Sequence, residues 1–220
     1  MPYKVLKNKP LVEAILELRW TLESGGPGVS RDPHYRLLLG RFSERVQEEY
    51  SSYGVLPTAN FPDEMVAHIV QHQFRVKQNA WPLLQIGPGI ITVNDTDGYT
   101  WTDFQRRCEG AVAKLVDAHP KASDLMPERI TLRYIDAVDF DHTKDNILGF
   151  LSDKMKVRLE LPENLFADGL VSTQPSAFNW QVSFPLTKPK GTVSLRSRSK
   201  EKATSANLGN AGSVSGRSTP

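Results

Sequence analysis

From Leu11 to Leu22 the side chains alternate. Val12, Ala14, Leu16, Leu18, Trp20 and Leu22 fall on one parity, and Glu13, Ile15, Glu17, Arg19 and Thr21 on the other. A period of two with one apolar set describes a strand that rests one face on a core and turns the other to water. No helical reading survives, because a 3.6-residue period would scatter the same residues around the axis. The fold must therefore contain a sheet with cover on at least one side.

The cover is legible next. Asp32-Pro33 reads as a helix start, with Tyr35, Leu38, Leu39, Phe42, Val46 and Tyr50 at three- and four-residue spacing behind it and Gly54 and Pro57 beyond its end. Ser24 to Gly28, rich in glycine, reads as a loop. Three short strands follow: one with Val66, His68, Val70, His72, Phe74 and Val76 on one face, one over Trp81–Ile86, and one over Ile90–Asn94. Gly87-Pro88-Gly89 joins the last two, proline presetting φ and the second glycine accepting φ > 0 as a type II turn demands. A second helix is expected from Thr102 to His119, with Phe104, Cys108, Ala111, Val112 and Leu115 on its apolar stripe, stopped by Pro120. Then the series restarts. Ile130–Phe140 reads as a strand with Ile130, Leu132 and Tyr134 on one face and a bulge near Ile135-Asp136. Ile147–Met155 reads as a helix, and Ala177–Phe184 and Gly191–Leu195 as strands.

The fold class expected is α+β: a largely antiparallel sheet with helices packed on one face. It is read as two similar β-α-β-β-β-α lobes, the second incomplete. The boundaries read from sequence are 1–122 for the first lobe, 123–196 for the second and 197–220 for a disordered polar tail. Length and composition agree with this. A chain of 220 residues with 39% hydrophobic and 24% charged residues supports one large or two small packed units.

Several function classes drop out. No apolar run approaches the roughly 18–20 residues of a membrane span, and the opening residues lack the apolar stretch of a secretory signal. A single cysteine, Cys108, excludes an internal disulfide and a Cys-rich metal site. Together these point to a reducing cytoplasm. The net charge of +2 conceals an asymmetry, for seven of the 27 basic residues but one of the 25 acidic residues lie after Leu186. The body is mildly acidic and the tail basic, so nucleic acid is a possible partner only through phosphate contacts of the tail.

Candidate chemistry is sparse. His68 and His72, four apart, would share a metal on a helix, but on a strand they are about 13 Å apart. Gly87-Pro88-Gly89 lacks the following helix that a phosphate loop needs. Cys108 falls on a helix's apolar stripe and reads as a core thiol. Asp136, Asp139, Asp141 and His142 cluster at a strand end, where carboxylates can hold Mg²⁺ or act as acid and base, though aspartate is also favoured there for its own backbone hydrogen bonds. Glu13, Glu17, Arg19 and Arg133 occupy the non-core faces of the two longest strands. This is either an ordinary solvated sheet face or a polar recognition surface, with Trp101 or Tyr134 as an aromatic anchor. The binding residues expected from sequence are Glu17, Arg19, Trp101, Arg133 and Asp136. No catalytic residue, transition metal or cofactor is expected.

Lys9-Pro10-Leu11-Val12-Glu13-Ala14-Ile15-Leu16-Glu17-Leu18-Arg19-Trp20 resembles the opening motif of a sporadically distributed family of uncharacterised bacterial proteins. So do Trp81–Gly89, Val93-Asn94-Asp95 with Tyr99-Thr100-Trp101, Leu132–Asp136 and Pro189–Arg196. The resemblance spans residues 3–196 and implies a bacterial, cytoplasmic α+β protein without a transferable activity. It also implies a further strand and helix after Arg196, where this chain has a polar tail. The expectation is a second lobe with an unpartnered apolar face around Phe178, Trp180 and Phe184. The function expected is a non-enzymatic binding protein with a protein partner, accessory to a defence or toxin–antitoxin type system. The alternative is an enzyme or small-ligand binder with its site at Asp136–His142.

Overall fold

The structure is a computed structural model that describes residues 9–199 apart from Asp97, His142, Thr143, Gln174 and Ser176. The chain forms two compact units, one ending at Asp139 and the other beginning at Phe140.

The first unit runs β1 (Leu11–Trp20), β2 (Glu23–Gly26), β3 (Val29–Arg31), α1 (Tyr35–Val46), β4 (Ser52–Val55), β5 (His72–Arg75), β6 (Leu83–Gly87), β7 (Ile90–Asp95), α2 (Trp101–Ala118) and β8 (Pro127–Asp136). Six strands make one antiparallel sheet in the order β4-β5-β6-β7-β1-β8, while β2 and β3 form a separate small hairpin. The alternation of β1 acts as its period requires. Ala14, Leu18 and Trp20 are buried together with Phe74, Leu84, Ile86, Ile91 and Val93 of the neighbouring strands, under Leu38, Phe42 and Val46 of α1 and Phe104, Ala111 and Leu115 of α2. Both helices thus cover one face of a largely antiparallel sheet, the α+β architecture expected.

Local chemistry explains the element ends. The Thr100 side chain accepts from the Asp103 N–H and caps α2, with Asp103 adding a favourable charge in the first turn. Pro88-Gly89 turns β6 into β7, with Gly89 at φ +73°. A Cβ on Gly87 would lie 2.0 Å from the Ile69 carbonyl oxygen, so this strand end admits no side chain.

Four expectations are corrected. First, β8 belongs to the first unit: it pairs with β1 over most of its length, so that unit extends beyond residue 122. Alternation identified the strand, but its partner is chosen by matching faces, Leu16 against Leu132 and Leu18 against Ile130. Secondly, the strand expected over 66–76 is confined to His72–Arg75, because His68 takes a left-handed φ of +57° that no strand tolerates. Thirdly, helix α1 ends at Val46, and the following segment supplies the strand β4. Fourthly, the glycine-rich stretch at 24–28, read as a loop, contains part of the β2–β3 hairpin. The bulge foreseen near Ile135-Asp136 is there, with its extra residue on the other strand: Leu11 faces Asp136 and Glu13 faces Ile135, leaving Val12 over.

The second unit contains α3 (Ile147–Met155) and the antiparallel hairpin of β9 (Asn179–Leu186) and β10 (Gly191–Arg198). The Asn146 side chain caps α3, and Lys156 closes it in the left-handed region. Register places Trp180, Val182, Phe184, Leu186, Val193 and Leu195 on one face of the hairpin. Phe184 is exposed, while Phe178 and Trp180 are half-buried. β10 runs through Ser197 and Arg198, two residues into the segment read as tail. The tail from Lys200 lies outside the described residues.

Candidate functional site

Register decides which polar residues meet. Glu13, Ile15, Glu17 and Arg19 of β1 face Ile135, Arg133, Thr131 and Arg129 of β8. On the other flank, Ile15 faces Asn94 and Glu17 faces Thr92 of β7. All of these lie on the sheet face opposite α1 and α2, since their sequence neighbours Ala14 and Leu18 lie under the helices. Glu17, Arg19 and Arg133 therefore do share a face. Trp101 does not join them: it opens α2, on the other side of the sheet. Asp136 lies exposed at the last position of β8, beyond the bulge.

The partners of these charges differ. Asn94 Nδ2 donates to Glu13 Oε1 at 2.8 Å, and the Thr92 hydroxyl lies 2.8 Å from Asn94 Oδ1. Arg19 Nε donates to Glu17 Oε1 at 2.7 Å. Toward β7 the face closes, and Thr92 and Asn94 are buried. Toward β8 it opens. Arg129 and Arg133 are exposed, and neither has an ion-pair partner among the described residues.

β8 is the edge of the sheet, hydrogen-bonded to β1 alone. Its other parity carries apolar residues that α1 and α2 leave uncovered: Ile130 is 69% exposed, Leu132 44% and Tyr134 45%. Tyr134 is anchored at its tip, its hydroxyl 2.9 Å from that of Tyr99, whose ring it meets edge-on at 5.9 Å. Burial, reinforced by the Tyr134 hydroxyl, holds the Tyr99 phenol well above its ordinary range. Lys9 Nζ donates to the Tyr99 carbonyl at 2.7 Å, tying this corner to the start of β1. A strand with one free edge, an apolar row on one side and two arginines on the other can accept an extended chain by strand addition.

Sequence reasoning missed a second cluster. Asp32, read as a helix cap, is a buried carboxylate that accepts from Trp20 Nε1 at 3.0 Å, the Gly89 N–H at 3.2 Å and the His34 N–H at 3.0 Å. Beside it, His34 Nε2 lies 3.3 Å from Asp124 Oδ2 and its ring meets His119 edge-on at 5.1 Å. An Asp–His pair can move protons, but the adjoining cavity of about 30 Å³ suits one water and not a substrate. The cluster's work is to tie β1, the β6–β7 turn and the loop after α2 together. No spacing motif announces it, because its members are brought together only by the sheet.

The remaining candidates separate. His68 Nε2 donates to the Trp20 carbonyl at 3.1 Å, whereas His72 Nδ1 lies 2.6 Å from the Tyr53 hydroxyl, and burial lowers the His72 pKa. Burial pushes the Cys108 thiol up to about 12, as befits a core residue. Asp139 and Asp141 are exposed, and His142 lies outside the described residues. Among the described residues no group of three or more His, Cys, Asp or Glu could hold a metal ion, and no helix is long and apolar enough to cross a membrane. A comparison with family models, with curated proteins and with solved structures returns no match to this chain.

Proposed function

We propose that this chain is a non-enzymatic binding protein that takes a protein partner along β8. The observation that carries the reading is the state of that strand: ten residues long, paired on one edge, and exposed on both faces. A long edge strand with uncovered apolar residues is a template for another chain, and proteins that leave such edges unused blunt them with short strands, bulges or inward charges. Here the register breaks only at the two ends of the strand, near Asp136 and at Glu128, and the ladder between Arg129 and Ile135 is regular. Arg19, Arg129 and Arg133 add an electropositive margin suited to carboxylates. Glu17 holds Arg19, and Asp136 marks the far limit of the surface. The resemblance of the β1 and β6–β7 segments to a bacterial family supports a bacterial cytoplasmic setting and an accessory role of the defence or toxin–antitoxin kind.

The test is affinity capture from a bacterial lysate by the intact chain and by two variants, Leu132→Lys and Arg129→Glu/Arg133→Glu. Both variants alter exposed positions and should fold normally by circular dichroism. A partner retained by the parent chain and lost from both variants is expected. Capture that ignores both substitutions would remove β8 from the function.

A further inference from the structure

Resting on the reading that β8 is the docking element, we infer that its free edge selects an extended segment in which apolar residues alternate with carboxylates spaced four apart. The two edges of a strand share one set of side chains, so the strand that already fills one edge shows which residues a second strand would meet. That strand is β1. On the helix side it offers Ala14 to Tyr134, Leu16 to Leu132 and Leu18 to Ile130. On the opposite side Arg133 faces Ile15 and Arg129 faces Arg19, with Glu13 and Glu17 diagonal to Arg133, opposite Ile135 and Thr131. Diagonal neighbours across a ladder are about 7–8 Å apart, within reach of long side chains.

Both glutamates of β1 are engaged elsewhere, however. Glu13 accepts from Asn94 and Glu17 from Arg19. Arg129 and Arg133 are left facing outward, four residues and about 13 Å apart on one face. A second strand entering on the free side places one carboxylate directly opposite each arginine only if its acidic residues are also four apart on one parity. The opposite parity must then be apolar, to cover Ile130, Leu132 and Tyr134. The sequence of β1 itself, with Glu13 and Glu17 against Ala14, Leu16 and Leu18, meets both conditions.

Charge argues against a second copy of β8 as the occupant. Antiparallel self-pairing about Leu132 would set Leu132 on Leu132 and Ile130 on Tyr134, but it would bring Arg133 of each copy diagonally against the other. It would also set Glu128 opposite Asp136 at both ends. Like charges so placed oppose pairing.

The probe is a fluorescent peptide carrying residues 9–20, titrated into the full chain by anisotropy, with amide exchange read over Pro127–Asp136. Saturable binding is expected, with protection appearing at the β8 amides. Replacing Glu13 and Glu17 of the peptide by lysine should weaken binding about tenfold or more, as should Arg129→Glu/Arg133→Glu in the chain. The lysine peptide should regain affinity for the glutamate chain. That crossed recovery separates paired charges from apolar adhesion. Binding indifferent to either charge change, or absent, overturns the inference. So does concentration-dependent dimerisation of the chain alone with β8 protected, which would make the occupant a second copy. If the peptide fails while the β8 variants still lose a lysate partner, the pairing rule falls and the docking reading stands. If the partner survives those variants, the docking reading falls.

Discussion

Two hairpins in this molecule are built alike and end differently. In β6–β7, Leu84, Ile86, Ile91 and Val93 share a face and none is more than 2% exposed. In β9–β10, Val182, Phe184, Leu186, Val193 and Leu195 share a face and are 40–52% exposed. The alternation of apolar residues is equally clear in both. In the first, α1 and α2 lay Leu38, Phe42, Phe104 and Leu115 over the strands. In the second, the apolar face is open. Alternation thus states which side chains share a face, and whether anything covers that face is a separate matter of what else the chain brings there. β8 is an intermediate case. It has joined the closed sheet by its backbone, yet its apolar row lies beyond the reach of the helices.

The largest expected effect tests this contrast directly. Phe42 is fully buried and meets Phe74 edge-on at 5.8 Å. Phe42→Ala should cost about 3–5 kcal/mol in urea unfolding, through lost transfer energy and the cavity left behind. Phe184→Ala removes the same atoms from an open face and should change stability by less than about 1 kcal/mol. Equal losses would mean that the hairpin face is covered in solution. Cys108 offers a chemical reading of the same core. With its thiol buried and pushed up to about 12, it should resist alkylation at pH 8 in the native chain and react fully in urea.

A smaller effect is expected at the seam that closes the first unit. Asp32→Ala removes the acceptor of the Trp20 indole N–H and the Gly89 N–H at a buried site, with a penalty of about 1–3 kcal/mol for a buried donor left unpaired. The loss should show as a lowered urea midpoint with an unchanged slope. The corresponding substitution on the open strand, Asp136→Ala, removes an exposed side chain and should stay within about 0.5 kcal/mol.

These contrasts also mark where the chain was legible. β1, α2, α3 and the β6–β7 turn could be read almost to the residue, because period, cap and turn chemistry are local. The placement of Glu17, Arg19 and Arg133 on one face followed from strand parity alone. Three things were not legible. The pairing of β8 with β1 joins residues over a hundred positions apart in the chain. The break at His68 depends on a left-handed backbone in a residue whose neighbours alternate like a strand. The role of Asp32 was hidden because an aspartate before a proline looks like a cap, and here its carboxylate, besides accepting from the His34 N–H, also meets an indole and a distant turn. For β8 and Asp32 the deciding contact is long-range, and no local pattern encodes it.

The smallest effect concerns two carboxylates that stand close in sequence and on opposite sides of the same divide. Asp95, at the end of β7, is buried, and burial raises its pKa despite a hydrogen bond from the Thr96 N–H. Asp103, in the first turn of α2, is held below the usual carboxylate range by hydrogen bonds from Arg106 and Arg107 at 2.6 and 2.7 Å. The signs of their linkage are opposite. A raised carboxylate binds its proton more readily folded than unfolded, so its contribution is present below the unfolded pKa and is lost as pH rises through the folded one. A depressed carboxylate contributes above the unfolded pKa and loses that contribution as pH falls through the folded value. Asp103→Asn should therefore destabilise at neutral pH by a few tenths of a kcal/mol, about the worth of a solvent-screened pair, and the deficit should shrink to nothing in acid. Asp95→Asn should do the reverse, gaining on the parent chain as pH rises from acid to neutral. Urea melts of the three chains between pH 3 and pH 7 would show the two difference curves diverging. A flat curve for Asp95→Asn would mean that burial does not raise the Asp95 carboxyl, and that the end of β7 is open to water.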